Sequence, residues 1–534
     1  MSYIDLRSVS PDLVMIQTDD SKLTAYSAGD GVWQTGSIVV RNENNVWTLS
    51  SPEIPVRRVL LRWNHSFAGD ALILNDQIER GYGDLEWRGY NAERILPWYF
   101  MMRENGVVNG YGVKTNPNAF CLWQVTEDDI TLYLDVRSLG VGVKLGEKTL
   151  AMAEVVSRAG TAEETAFEAT RSFCAVMCTN GIFADKPVYG GNNWYYAYGR
   201  STAEEILKDT DRIAAWTEGL ENRPFMVIDA CWQLNVSETI TCAGGPYLHG
   251  NAGFPDMAAL AAEMKAKGVR PGIWCRPLLI HDSVPAHWIL RHAENEGDVL
   301  DPTVPEALER IAADIRRISG WGYELIKHDF STFDILGRWG FQMGASLTSL
   351  NRSFYDPSVT TAEVIQLLYR TIHENAGDAL IIGCNTVGHL ITGYAQLQRT
   401  GDDTSGLEWE RTRKMGVNTL SHRMAQHNIF FTADADCVGL TNQVPWEMNR
   451  RWNDVLSRSA TALFISADPK ALTPEIEAEM REAFARASVN TEMLVPVDWV
   501  ENVCPTTWKN STGTFTYNWN QPDRFVFADD DIKP

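Results

Sequence analysis

Eight short apolar segments, separated by longer amphipathic segments, dominate the sequence between residues 188 and 465. Each apolar segment has the length of one strand, and the amphipathic segments between them have helical periodicity. Eight such units over about 280 residues match the size and rhythm of a closed (β/α)₈ barrel. The predicted barrel strands are Val188–Gly190, Pro224–Ile228, Pro271–Trp274, Leu325–Asp329, Leu380–Cys384, Leu397–Thr400, Ile429–Thr432 and Leu463–Ile465.

The segments on either side of this region are rich in β-forming residues. Before it, β-branched and aromatic runs such as Val56–Trp63 are separated by turn-forming clusters, which is typical of a β-sandwich. After it, a predicted helix at Pro474–Ala487 leads into a β-like tail. We therefore predict an α/β protein with three parts: an N-terminal β-sandwich domain with a helical linker (residues 1–178), a catalytic TIM barrel (residues 179–472) and a small C-terminal antiparallel β domain (residues 473–534).

The net charge limits the expected binding partners, and the cysteine content indicates the redox state of the compartment. The chain carries 47 basic and 69 acidic residues, for a net charge of −22, so nucleic acid and anionic membrane surfaces are not expected partners. The N-terminus has neither a basic region nor an apolar signal core, and no apolar run approaches the length of a membrane span. Nine cysteines without a C-x-x-C pair indicate reduced thiols. We expect a cytoplasmic location.

Polar or aromatic residues follow nearly every predicted barrel strand. In a parallel barrel the carboxyl ends of the strands meet at one mouth, where active sites lie. In Leu325–Asp334, strand alternation places Lys327 and Asp329 on one face and His328 on the other. A carboxylate near a cation stays ionised, as a nucleophile must. The strand-end residues are Trp194, Asp229, Trp274, Asp329, Cys384, Arg399 and Asp434.

A second acidic stretch, Gln398–Gly406, lies two predicted strands after Asp329 and contains Asp402 and Asp403. Two carboxylates across a barrel mouth suit glycoside hydrolysis, one as nucleophile and the other as proton donor and acceptor. One of the two neighbouring aspartates could instead cap the helix that follows. This chemistry requires neither a metal ion nor an organic cofactor.

The barrel resembles clan-D glycosidases, and most of all the bacterial α-galactosidases of glycoside hydrolase family 36. The domain layout is also similar to theirs. The motifs that carry the resemblance occur in order along the barrel: Gly191–Tyr195, Val227–Asp229, Pro271–Trp274, Lys327–Asp329, Ile382–Cys384, Arg399–Thr404 and Asp434–Cys437.

The resemblance implies a role for each matching residue. Asp329 would be the nucleophile, and Asp403 would be the acid/base because it stands four residues after the arginine of its motif. Lys327 and Arg399 would bind sugar hydroxyls and hold Asp329 ionised. Three further residues, Trp194, Trp274 and Cys384, would line the sugar subsite, and Asp229 would accept hydrogen bonds from the distal hydroxyls O4 and O6.

The chain departs from this family at the second strand, where the usual pair of aspartates is replaced by Asp229-Ala230. Ala230 removes an acceptor for a sugar hydroxyl, and a buried site discriminates strongly by such an acceptor. Trp232 or Gln233 could fill the space and favour another sugar. The hypothesis is that α-galactosides are poor substrates and that Ala230→Asp raises kcat/KM for them.

Two residues outside this set have alternative roles. Trp87, in a glycine-flanked loop, resembles an aromatic residue that reaches over the barrel mouth in the family, and it could equally be a surface residue of the sandwich. Asp434 is expected to support the site through hydrogen bonds. The resemblance implies an α-galactosidase that acts on small glycosides or oligosaccharides and forms a homo-oligomer. A transglycosylase and an inactive oligosaccharide-binding barrel are the alternatives.

Overall fold

The computed structural model describes residues 3–83, 85–234, 244–293 and 296–521. Among these residues, thirteen strands form one antiparallel sheet in the N-terminal part, in the order β7-β9-β10-β13-β5-β4-β3-β2-β1-β6-β12-β11-β8. The strands are β1 (Leu13–Thr18), β2 (Lys22–Gly29), β3 (Val32–Thr35), β4 (Ile38–Glu43), β5 (Val46–Ser50), β6 (Val56–Asn64), β7 (Leu72–Asn75), β8 (Leu96–Pro97), β9 (Tyr99–Glu104), β10 (Val107–Val113), β11 (Phe120–Val125), β12 (Asp129–Asp135) and β13 (Thr149–Arg158).

The two ends of this sheet pack face to face, as the predicted sandwich requires. The ring of Phe100 in β9 lies 5.8 Å from that of Trp123 in β11, in an edge-to-face arrangement. Burial alternates along β1, so that one face of the strand joins the apolar core. The region was predicted as β-structure from its β-branched and aromatic runs and from the turn-forming clusters between them.

Eight parallel strands form the closed barrel, in which β14 pairs with both β15 and β24. A small sheet of β17, β18 and β19 is inserted after the third barrel strand, and β25–β27 form the C-terminal antiparallel sheet. These strands are β14 (Tyr189–Asn192), β15 (Phe225–Ile228), β16 (Arg270–Cys275), β17 (Leu279–Ile280), β18 (Ile289–Ala293), β19 (Gly297–Leu300), β20 (Leu325–His328), β21 (Leu380–Gly383), β22 (Leu397–Arg399), β23 (Thr432–Leu440), β24 (Ala462–Ala467), β25 (Val495–Pro496), β26 (Thr507–Asn510) and β27 (Gly513–Thr516).

Helices connect the barrel strands, and several helices of the chain begin at side-chain caps. Thr360 and Glu363 form a capping box at the start of α7, and Thr473 caps α12 directly before Pro474. The helices are α1 (Ala166–Met177), α2 (Trp194–Ala197), α3 (Ala203–Trp216), α4 (Met257–Ala266), α5 (Pro305–Gly320), α6 (Ser331–Leu336), α7 (Thr361–Asn375), α8 (Gly388–Ile391), α9 (Trp409–Thr412), α10 (Thr419–Arg423), α11 (Trp446–Arg458) and α12 (Pro474–Ala487).

The predicted fold class is confirmed, with one strand placed wrongly. Seven predicted barrel strands overlap the observed ones well, whereas the seventh barrel strand is β23 and shares only Thr432 with the prediction Ile429–Thr432. Phe430 and Phe431 are buried before the strand begins. The strand itself reads TADADCVGL, and all nine of its residues are buried. The aspartates of this strand caused the wrong placement, because strands that are buried on both faces are normally apolar along their whole length.

Candidate active site

Asp329 lies at the carboxyl end of β20 and faces the barrel interior. Leu325, two positions before Lys327, belongs to the apolar cluster that fills the barrel, whereas the ring of His328 lies 5.8 Å from that of Tyr369 in α7. The predicted alternation of this strand is thus confirmed. Both oxygens of Asp329 accept hydrogen bonds, Oδ1 from the backbone N–H of Phe330 at 2.7 Å and Oδ2 from the indole N–H of Trp274 at 3.3 Å.

Lys327 pairs with Asp229 rather than with Asp329. Its Nζ lies 2.8 Å from Oδ2 of Asp229, which also accepts a hydrogen bond from the Asn192 side chain at 2.7 Å. Burial alone would lower the pKa of Lys327, but the negative charge of Asp229 outweighs it and holds the pKa well above its ordinary value. The interior of the barrel thus carries a fixed ammonium–carboxylate pair below the mouth.

Arg399, at the end of β22, connects three other groups of the site. Its Nη2 lies 3.2 Å from Oδ1 of Asp403 and 2.8 Å from Oδ2 of Asp436, and its Nη1 donates to Sγ of Cys384 at 3.3 Å. The guanidinium is only 1% exposed. An arginine buried this deeply needs ionic partners, and the two carboxylates supply them.

Asp436 shares the supporting role that the sequence assigned to Asp434, whose Oδ1 accepts a hydrogen bond from the backbone N–H of Asp436 at 2.9 Å. The register of β23 shifts between Asp434 and Cys437, and Asp436 has φ 68°, a conformation that re-aims its side chain as bulges do. Its Oδ2 also accepts hydrogen bonds from the backbone N–H of Thr404 at 2.8 Å and from the Tyr195 hydroxyl. Asp436 therefore fixes both Arg399 and the loop that carries Asp403.

Asp402 and Asp403 are adjacent in sequence but have different surroundings. Both oxygens of Asp402 form ion pairs, Oδ1 with Arg80 at 2.6 Å and Oδ2 with Arg411 at 2.9 Å. In Asp403, Oδ1 faces Arg399, and Oδ2 has no hydrogen-bond partner among the described residues. The Asp403 side chain is 37% exposed. Asp403 is therefore the one of the two that can reach a substrate.

Arg80 enters the site from the N-terminal part of the chain and was missed by the sequence prediction. Its loop pairs with the barrel through two backbone hydrogen bonds of 2.9 Å, from Gly81 N to Thr400 O and from Asp402 N to Gly81 O. A Cβ at Gly81 would lie 2.8 Å from the Thr419 side chain, so this approach requires glycine. The guanidinium also lies over the ring of Trp339, 5.4 Å from its centroid.

The Arg80 guanidinium stands between the two candidate catalytic carboxylates. Its Nη1 lies 4.0 Å from Oδ1 of Asp329 and 4.0 Å from Oδ1 of Asp403. Burial alone would raise the pKa of Asp403, but the positive charges of Arg399 and Arg80 outweigh it and hold the pKa at about 2. Arg80, rather than Lys327 or Arg399, is thus the cation that lies near Asp329 within the described part of the chain.

Aromatic side chains form the walls of the site. Trp274 contacts Asp329 through its indole N–H, and Trp194 borders a cavity of about 470 Å³ that opens beside Asp403. Trp194 and Trp274 also pack with Phe330 against Ala230 and Cys231 in a small apolar cluster. Further lining residues of the cavity are Tyr195, Tyr198, Thr404, Ser405, Leu407, Glu408 and Arg411.

Two predicted site residues lie elsewhere. Trp232 is fully buried, with its ring centroid 5.5 Å from that of Tyr247, and its indole N–H donates to the backbone carbonyl of Trp274. Trp87 is buried against Trp499 at 5.6 Å, so it neither covers the barrel mouth nor lies on the surface. Both are apolar core residues, because large rings bury more surface in the core than at a solvated rim.

The structure brings together the remaining predicted residues: Asp229, Lys327, Asp329, Arg399, Asp403, Cys384, Trp194 and Trp274. Among the residues that the structure describes, no cluster of His, Cys, Asp and Glu side chains is arranged to hold a metal ion. None of the helices within that part of the chain has the length and hydropathy needed to cross a membrane.

Solved structures that match this architecture include α-galactosidases. The Thermus thermophilus α-galactosidase in complex with p-nitrophenyl α-D-galactopyranoside aligns over 95% of this chain and 99% of its own, with a TM-score of 0.60 and 16% identity. A glycoside hydrolase family 36 α-galactosidase from Geobacillus stearothermophilus, in complex with stachyose, aligns over 90% of this chain and 76% of its own, with a TM-score of 0.57 and 13% identity.

The sequence comparisons add nothing to these structural matches. No protein-family model matches the chain, and no curated protein matches it. At such low identity, a structural match establishes architecture and leaves activity to the site itself. This chain has the fold of the α-galactosidases of glycoside hydrolase family 36.

Proposed function

We propose that this protein is a retaining α-glycosidase of the α-galactosidase type, with Asp329 as nucleophile and Asp403 as acid/base. The observation that carries the proposal is that both carboxylates lie 4.0 Å from one nitrogen of Arg80. Their Oδ1 atoms are therefore no further apart than twice this distance. This limit admits the separation of about 5 to 5.5 Å of a retaining enzyme and also the lower part of the range of about 6.5 to 9.5 Å of inverting enzymes, so the choice of a retaining mechanism follows the family resemblance.

In the first step, an oxygen of Asp329 attacks the anomeric carbon while the bond to the leaving oxygen breaks. Asp403 gives its proton to that oxygen, and the sugar becomes an ester of Asp329. In the second step, Asp403 takes a proton from water as the water oxygen attacks the same carbon, which releases Asp329 and the sugar. Hydrogen bonds from Phe330 and Trp274 hold the Asp329 carboxylate in a fixed orientation for the attack.

The pKa of about 2 suits Asp403 for the second step, in which it acts as a base, because it is ionised at neutral pH. The first step needs the protonated form. A bound sugar removes water from the partly exposed Asp403 side chain, and desolvation raises the pKa of a carboxyl group. Substrate binding therefore shifts Asp403 toward the protonated form.

Release of p-nitrophenol from a panel of α- and β-glycosides by wild-type and Asp329→Ala protein tests the proposal. We expect activity on α-glycosides that Asp329→Ala abolishes. With added azide, Asp329→Ala should form a β-glycosyl azide, since azide then attacks from the face that Asp329 occupied. Asp403→Ala should form an α-glycosyl azide, since azide then attacks the ester of Asp329. The reverse assignment of products, or retained activity in Asp329→Ala, would overturn the proposal.

Transglycosylation is a second candidate, favoured by the aromatic character of the cavity beside Asp403. Trp194 and Tyr198 line this cavity, and aromatic faces bind the C–H faces of an acceptor sugar. In a transglycosylase, a sugar hydroxyl replaces water in the second step. Product analysis with a disaccharide acceptor separates the two functions, because only the transferase gives a longer oligosaccharide as its main product at low acceptor concentration.

A further inference from the structure

An apolar wall adjoins Asp229, which Ala230 follows directly, and Asp329. Ala230, Cys231 and Trp274 form a buried cluster that is distinct from the main core, and Trp194 and Phe330 pack against it. The same Trp274 donates its indole hydrogen bond to Asp329, so this wall adjoins the reacting carboxylate. Burial raises the pKa of the Cys231 thiol to about 11, so that this side chain is also uncharged.

Asp229 has little remaining capacity to accept hydrogen bonds. Its Oδ2 accepts from Lys327 at 2.8 Å and Asn192 at 2.7 Å, and its Oδ1 accepts from the Ala230 backbone N–H at 2.9 Å. An ionised carboxylate offers about four acceptor positions. One position is therefore left for a sugar hydroxyl, which can in turn accept a hydrogen bond from the Lys327 ammonium.

Among the described residues, the side chains next to Ala230 do not replace the missing acceptor. The Trp232 indole N–H is bonded to the backbone of Trp274, and Oε1 of Gln233 accepts from the backbone N–H of Cys231 at 2.8 Å. Ala230 itself has no polar side-chain atom. The distal edge of a hexopyranose carries two hydroxyls, O4 on the ring and O6 on the exocyclic carbon, and the described residues next to Asp229 leave one acceptor position for them.

We infer that the site takes an α-pyranoside without a 6-hydroxyl, namely a 6-deoxyhexoside, whose C6 methyl group lies against the Ala230 wall. This inference rests on the proposed glycosidase function. A 6-hydroxyl facing the wall would lose its hydrogen bonds to water without gaining an acceptor, whereas a methyl group gains apolar contact. An apolar pocket discriminates against an added hydroxyl by about 100-fold at most, so we expect a 10- to 100-fold preference in kcat/KM.

The test compares matched pairs of p-nitrophenyl α-glycosides: D-fucoside with D-galactoside, and D-quinovoside with D-glucoside. Wild-type protein should prefer the 6-deoxy member of at least one pair. Ala230→Asp should reverse that preference by raising kcat/KM for the 6-hydroxy member. Ala230→Ser is a smaller change with the same direction of effect, in case the aspartate variant does not fold. Ala197→Ser, which alters a buried alanine in α2, should leave the preference unchanged.

Several outcomes would overturn the inference. If wild type hydrolyses the 6-hydroxy members equally well or better, the inference fails and the glycosidase proposal stands. If neither member of either pair is hydrolysed, the glycosidase proposal fails, and binding of the free sugars decides the inference. Tryptophan fluorescence then reports binding, since Trp194 and Trp274 border the pocket. Equal binding of D-fucose and D-galactose, or binding of neither, would overturn the inference.

Discussion

Nη1 of Arg80 lies 4.0 Å from Oδ1 of Asp329, although the first residue belongs to a loop of the N-terminal sheet and the second to a barrel strand. The same nitrogen lies 4.0 Å from Oδ1 of Asp403, and Nη2 of Arg80 lies 2.6 Å from Oδ1 of Asp402. A buried charge acts on nearby carboxylates more strongly than an exposed one, because little solvent screens it. Arg80 therefore helps to set the protonation of Asp403, the proposed acid/base.

Replacing Arg80 by glutamine should raise the pKa of Asp403. The loss of a nearby positive charge favours the neutral carboxyl, so the proton donor stays protonated to higher pH. The basic limb of the pH profile of kcat, which reports the enzyme–substrate complex, should move to higher pH. Arg88→Gln, on an exposed arginine of the same loop that pairs with Glu86, is the matched control and should not move the limb. An unchanged limb in Arg80→Gln would contradict this role.

Asn substitutions at Asp402 and Asp403 should have different kinetic signatures. Asp403→Asn removes the proton donor, so it should lower kcat/KM by about 10²- to 10⁴-fold on a sugar leaving group. The loss should be smaller on p-nitrophenyl glycosides, because p-nitrophenolate leaves without protonation. Asp402→Asn should weaken the ion pair that holds Arg80 in place. Its effect on kcat/KM should not depend on the leaving group. Leaving-group dependence in Asp402→Asn instead would assign the acid/base role to Asp402.

Asp436→Asn should reduce both stability and activity. Arg399 and Asp436 are both buried, and removing one partner of a buried ion pair costs about 3 to 5 kcal/mol. Displacement of Arg399 should also lower kcat, by about 100-fold for a 1 Å shift. Asp434→Asn is the control two residues away. Burial raises the pKa of Asp434 to about 6, so its protonated form resembles asparagine. Urea unfolding and kcat at pH 5.5 should separate the two variants, and equal effects would refute the assigned role.

Acidification should destabilise the fold through buried histidines. Burial lowers the pKa of His328, His389 and His422 to about 4 and that of His427 to about 3. In the unfolded chain these groups have a pKa of about 6.5. As the pH falls below about 6.5, the unfolded chain takes up protons that the native protein does not, so the free energy of unfolding falls. Each histidine contributes a slope of up to about 1.4 kcal/mol per pH unit.

Urea denaturation between pH 7.5 and 5 measures this slope. His389→Asn should reduce this slope by the contribution of one histidine. Substitution of the exposed His292 by Asn should leave the slope unchanged. Asp434 acts in the opposite direction over the same range, because its pKa is raised in the native protein to about 6. Unfolding free energies that rise on acidification from pH 6.5 to 5 would show that the histidines do not dominate.

The sequence predicted the barrel and the groups at its strand ends because both depend on local pattern. Asp229, Asp329 and Arg399 each follow an apolar strand, and strand alternation fixes the direction in which they point. Arg80 could not be found in this way, since its contact with Cys384 spans 304 residues of sequence. Its signal was the run Glu79–Gly83, whose charge and glycines indicated a loop but not the surface that it contacts.

The errors have a common physical origin. Trp87 was assigned to the site by the family resemblance, and Trp232 because it could fill the space beside Ala230, but tertiary packing buried both rings in the core. In β23, the bulge brought Asp436 into the supporting role beside Asp434, and local pattern does not specify a bulge in a strand without alternation.

The loop that carries Arg80 has a consequence for biosynthesis. The N-terminal sheet is synthesised first, and the partners of Arg80 in the barrel are synthesised about 300 residues later. A barrel that closed before the sheet docked would contain both candidate catalytic aspartates and still lack the charge between them. The proposed hydrolytic activity therefore requires that the N-terminal sheet has docked onto the barrel. Polypeptides arrested before docking should be inactive even when their barrel is folded.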